Sequence, residues 1–151
     1  MEDKDGDIRV SNTGFLPIVS AYAARIGLVE EIDRLLHCQM EVSPGRVVLA
    51  LILDALSGRS ALFRLEQFFA DKDVEHLLGE DIPRSKLNDD TLGRVLDRLS
   101  AVGSNTVLGS VAIKVMKSFD LGLSHVHHDT TAIRSTGITC STSRKVTTSP
   151  L

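Results

Sequence analysis

The feature that most restricts the fold is Ser43-Pro44-Gly45-Arg46 followed by seven consecutive apolar residues, Val47 to Leu53. Ser43 offers a hydroxyl to cap the free N–H groups of a first helical turn. Pro44 suits the first helical position, where its missing N–H would be unsatisfied anyway. A helix beginning here is apolar on nearly every side, so other elements must exclude water from it. The expected centre of the fold is therefore a buried helix running from Pro44 to just before Gly58. The apolar run is far shorter than the roughly 20 residues that span a bilayer, and no membrane segment is expected.

The flanking sequence supplies the covering elements. After Pro17, the residues Ile18, Ala21, Tyr22 and Ile26 keep helical spacing, and Gly27 is placed to end that helix. A second helix, Leu28 to Leu36, sets Leu28, Ile32, Leu35 and Leu36 on one side, so the two read as a hairpin. Beyond Ser57-Gly58, the residues Leu62, Leu65, Phe68 and Phe69 form another amphipathic series. Val74 to Leu78 forms a short helix ending at Gly79, and Asp81-Ile82-Pro83 a loop. Asn88 caps a helix to about Ala101 whose stripe is Leu92, Val95, Leu96, Leu99 and Val102, with Asp89 and Asp90 at the positive end of its dipole. A last helix, roughly Thr106 to Phe119, carries Val107, Leu108, Val111, Val115 and Met116 before Leu121-Gly122. The expected fold class is mainly α, with seven or so helices and no strand until Ser124-His125-Val126-His127-His128-Asp129-Thr130-Thr131, which reads as extended.

Residues 14–122 thus form one helical domain, preceded by a polar, solvated arm at 1–13. Nine of the eighteen residues from 134 to 151 are Ser or Thr, and no packed element is expected there. With 42% apolar and 25% charged residues the balance is that of a globular protein. Cys38 and Cys140 have no paired spacing and no apolar leader precedes Ile8, so a reducing cytoplasm is the expected location.

The net charge of −3 conceals an asymmetry: residues 1–129 hold 14 basic and 20 acidic side chains, and the remainder three basic and no acidic ones. An acidic body lacks the clustered Lys and Arg by which nucleic-acid binding usually announces itself. The local exception is Arg84, Lys86, Arg94 and Arg98 around the Asn88 helix. Arg94 and Arg98 lie four apart, opposite the leucines, as a phosphate-contacting helix requires. A plainly solvated face fits the same residues, with Asp90 and Arg94 as an i,i+4 ion pair and Asp97 diluting the patch.

An ordered series of segments resembles the N-terminal part of bacterial insertion-sequence transposases of the DDE type. It comprises Leu16-Pro17-Ile18-Val19, Gly27-Leu28-Val29, Cys38-Gln39-Met40-Glu41-Val42-Ser43-Pro44-Gly45, Ala50-Leu51-Ile52-Leu53-Asp54 and Ser57-Gly58-Arg59-Ser60. It continues through Leu78-Gly79-Glu80, Asn88-Asp89-Asp90-Thr91 and His127-His128-Asp129-Thr130-Thr131. The resemblance covers about residues 14 to 133. It implies a helical N-terminal domain, then an RNase H-like core whose first strand, within 123–133, carries the first catalytic carboxylate, Asp129.

That family cuts and joins DNA at the ends of its element with two Mg²⁺ ions, one activating the attacking oxygen and one the leaving oxygen. Asp129 would be the first metal ligand. The family's second Asp and its Glu fall further along than 151 residues reach, so these residues alone are expected to hold Mg²⁺ incompletely and to catalyse no strand transfer. From Arg134 the sequence departs from the family's continuation, Val-Tyr-Gly-Asp-Tyr-Leu-Leu. Codons allowed for Arg134 to Ser141 give that continuation when read two bases later, which fits a frameshifted copy. The implied partners are DNA and either a second copy or a full-length transposase in a mixed oligomer.

Other classes compete at the same residues. Alternate residues of a strand share a face about 6.5–7 Å apart, which groups His125, His127 and Asp129 in a pattern similar to part of the metallo-β-lactamase zinc signature. Thr130 stands where that signature needs a further His, and His37 and His76 lie upstream among helices. Asp129 before two threonines also suits an ordinary strand end. The third class is a helical interaction module that modulates full-length transposase. Ser43 and Ser57-Gly58-Arg59-Ser60 lack the context of a nucleophile elbow or phosphate loop, and Cys38 reads as packing.

Overall fold

Around Pro44–Leu56, the helix labelled α3, the other helices assemble as its apolar circumference demands. The computed structural model describes residues 13–58 and 64–122. Ser43 caps α3 by accepting from the Arg46 N–H at 3.4 Å, and Val47, Leu49, Ala50 and Leu53 are buried. Helix α1 (Leu16–Ile26) ends at Gly27, whose left-handed φ of 71° lets its N–H reach the carbonyls of Ala23 and Ala24. Helix α2 (Leu28–Leu36) starts at once, giving the expected hairpin. The short α4 (Leu65–Phe68) and α5 (Val74–Leu78) follow, then a 3-10 turn (Arg84–Lys86), α6 (Asp89–Val102) and α7 (Ser104–Ser118). Helix α3 touches α1, α2, α4, α5 and α6.

The chain is mainly helical, and among the described residues there is no strand. The expected strand within 123–133, the tail at 134–151, nearly all of the arm and Leu62 lie outside the described residues. No single helix among the described residues is long and apolar enough to cross a membrane. Helices α6 and α7 would pass such a test only as a pair, and they are bent by 88°.

Several details depart from the sequence reading. Of the α1 series, Ile18, Ala21 and Tyr22 are exposed while Leu16 and Ala23 are buried, and Leu108 of the α7 series is exposed as well. Helix α7 starts at Ser104, directly after Gly103, whose φ of 91° makes the corner without intervening turn residues. Leu96 is 38% exposed, because Leu92, Val95, Leu99 and Val102 face inward and Leu96 falls at the edge of their stripe. The loop after Asp81 tightens into the 3-10 turn, anchored on either side by buried Ile82 and Leu87.

Two acidic residues of α2 tie the helices together. Asp33 accepts from the Gly45 N–H at 2.7 Å and from the Ser43 hydroxyl at 2.5 Å, placing a carboxylate at the positive end of α3. Glu31 is only 3% exposed and bridges to α7, accepting from Arg34 and from the Ser110 hydroxyl, with Lys114 Nζ at 3.5 Å. The Arg34 hydrogen bonds, then the Ser110 bond, hold its carboxyl at about 2, below the ordinary 4.5, against the opposing effect of burial. A depressed native value contributes stability above the unfolded-state value that is lost as pH falls through the native one. Thermal melts should therefore show the wild type losing stability between about pH 4.5 and pH 2 more steeply than Glu31→Gln. Parallel pH profiles for the two proteins would remove Glu31 from this account.

Candidate nucleic-acid interface

Helix α6 is fastened at its start from both directions. Asn88 Oδ1 accepts from the Thr91 N–H at 2.9 Å, while its Nδ2 donates to the Ser85 carbonyl at 2.8 Å and joins the 3-10 turn to the helix. Burial of Leu92 and Val95 then fixes which face looks outward. Arg94 and Arg98 stand on that outward face, one turn apart and exposed. Among the described residues neither arginine makes an ion pair or a hydrogen bond, so the expected Asp90–Arg94 pair is absent. Asp90 sits instead in the first turn of α6, where the helix dipole already favours its charge.

The other two expected phosphate contacts are differently placed. Lys86, in the 3-10 turn, donates to Glu41 at 2.8 Å and is locally neutralised. Arg84 lines a cavity of about 660 Å³ shared with Asp71, Asp73, Glu75 and Asp81, an acidic setting that repels phosphate. There Lys72 hydrogen-bonds Asp71 at 2.8 Å and lowers its carboxyl below the ordinary value. Of the four residues, then, Arg94 and Arg98 form a cationic pair uncommitted among the described residues, and Arg84 and Lys86 do not extend it.

Asp129, the expected first metal ligand, lies outside the described residues, as do His125 and His127. Among the described residues no three His, Cys, Asp or Glu side chains gather to hold a metal ion. The sequence reading passed over Glu31 and Asp33. Glu31 had one signal, its position three residues after Leu28 on the apolar side of α2, where a carboxylate needs a partner.

Comparison with known proteins adds a family. No curated protein and no solved structure matches the chain. The family model described as Domain of unknown function (DUF4277) matches residues 8–113, taking in α1 through α6 and the first part of α7. That stretch is well over half of the 151 residues, and the chain belongs to the DUF4277 family.

Proposed function

We propose that the chain is the helical N-terminal domain of a bacterial insertion-sequence DDE transposase, with the beginning of its RNase H-like core, and that α6 contacts DNA phosphates at the element's ends. The observation that carries the DNA contact is the Arg94–Arg98 pair, exposed, one turn apart and without partners among the described residues. Guanidinium groups so placed are free to form charge-assisted bonds to phosphate. The ordered motifs from Leu16 to Thr131 support the family reading. In it Asp129 is the first of the carboxylates that hold the two Mg²⁺ ions.

Fluorescence anisotropy on duplexes from the element's ends tests the DNA contact. Affinity should fall with salt, and Arg94→Glu should weaken binding roughly tenfold and reduce the salt slope by about 1. Binding that ignores both Arg94→Glu and Arg98→Glu would contradict the proposal.

A second reading is that the domain also joins mixed oligomers with full-length transposase. It draws on the exposed apolar side chains Phe15, Ile18 and Tyr22 of the α1 region and Leu108 and Ile113 of α7. Pull-down by an intact relative, lost on Ile18→Asp, is the expected result; no capture of the wild-type chain would exclude it.

A further inference from the structure

A cleft of about 380 Å³ opens between α1, the start of α2, α3 and α5, and no residue of α6 lines it. Pro17, Ala21 and Ala24 of α1, Leu49 of α3 and Leu77 of α5 give it an apolar surface of a size suited to a small ligand. Two polar atoms of the same lining are buried and make no hydrogen bond among the described residues: Ser20 Oγ and Arg46 Nε. Ser20 does not take the bond to the carbonyl one turn back that a helical serine often makes. Arg46 Nε lies 3.1 Å from Glu80 Oε2 without hydrogen-bond alignment, so that contact is a Coulombic attraction that leaves the donor unused.

The two charged partners differ in freedom. The Glu80 side chain is 56% exposed and can turn into water, whereas Arg46, 28% exposed, is held against the cleft. Unused buried donors are unfavourable, and a guanidinium and a hydroxyl in one lining are a donor set that matches a carboxylate. Glu30, in the same lining, disfavours a second negative charge on any occupant.

We propose that this cleft binds a small aliphatic monocarboxylate. Its carboxylate sits on Arg46 and Ser20 in place of Glu80, and its hydrocarbon chain lies against Ala21, Ala24, Leu49 and Leu77. The site is independent of the DNA reading, since it shares no residue with α6.

The test is an NMR titration of the isotope-labelled full chain with hexanoate, with hexanol as the uncharged probe of equal length. Hexanoate should produce saturable shifts centred on Ser20, Ala21, Ala24 and Leu77, and hexanol much weaker ones. Arg46→Gln should weaken hexanoate at least roughly tenfold. Glu80→Gln removes the competing carboxylate from an exposed position and should tighten it roughly threefold or more. If Arg46→Gln does not fold, the Glu80→Gln comparison decides. No saturable shift, equal binding of hexanol and hexanoate, or unchanged affinity in Glu80→Gln would each overturn the proposal.

Discussion

Gly45→Ala is expected to destabilise the domain by about 3 kcal/mol or more and to lower its thermal midpoint by on the order of 10 °C. A Cβ on Gly45 would stand 2.3 Å from the Val29 carbonyl oxygen, 2.7 Å from its Cα and 2.8 Å from its carbonyl carbon. All three are backbone atoms, so none can turn aside as a side-chain tip would. Relief requires α2 and α3 to separate along their packed face, where α3 meets its hairpin neighbour. Helix propensity pulls the other way, since alanine exceeds glycine by about 1 kcal/mol inside a helix, and the clash outweighs it. Gly93 in α6 and Gly109 in α7 are the controls, because a Cβ at either meets nothing within 4 Å. Alanine at those two positions should raise the midpoint slightly. A Gly45→Ala protein melting with or above the wild type would show that the helices do not approach as described.

Asp33→Ala carries the second largest expected loss, about 2 kcal/mol in urea unfolding. The substitution strips the Gly45 N–H of its 2.7 Å acceptor and the Ser43 hydroxyl of its 2.5 Å acceptor. It also removes a negative charge from the positive end of α3. Water reaches this partly exposed site and recovers some of the loss, which keeps the figure below the sum of two charged hydrogen bonds. Asp33→Asn should fall between, because an amide oxygen replaces one acceptor and its nitrogen replaces none. A loss in Asp33→Ala below about 0.5 kcal/mol, typical of an unremarkable surface site, would contradict this role.

Those two residues also mark the limit of what local sequence discloses. The cap of Ser43 on α3 and of Asn88 on α6, and the left-handed glycines Gly27 and Gly79, act within a few residues of themselves and were legible for that reason. Asp33 works across 10 and 12 residues, and Glu31 meets Ser110 across 79, so neither partner could be named before the helices were packed. Gly45 carries no role in the sequence reading, because its use, the close approach of Val29, exists only once α2 and α3 are packed. The sequence pattern starts the last helix at roughly Thr106, but the positive φ of Gly103 completes the corner alone and leaves Ser104 and Asn105 to α7.

The candidate interface divides in the same way. Helical spacing was enough to put Arg94 and Arg98 on one face. Whether Asp90 neutralised Arg94 was not legible, because an exposed i,i+4 pair is worth only about 0.3–0.5 kcal/mol and does not dictate a side-chain position. Lys86 could not be excluded from the patch until Glu41 was seen to engage it, 45 residues away in sequence. Asp129 stands outside the described residues and enters only through the resemblance of its segment.

The most direct test of the central claim, that the outward face of α6 meets the DNA backbone, is an NMR titration of the full chain with duplexes from the element's ends. The account predicts salt-sensitive shifts concentrated on α6 around Arg94 and Arg98, with the α1–α3–α5 cleft unaffected. Saturating DNA that shifts other surfaces and leaves α6 unchanged, or that shifts nothing, would contradict it.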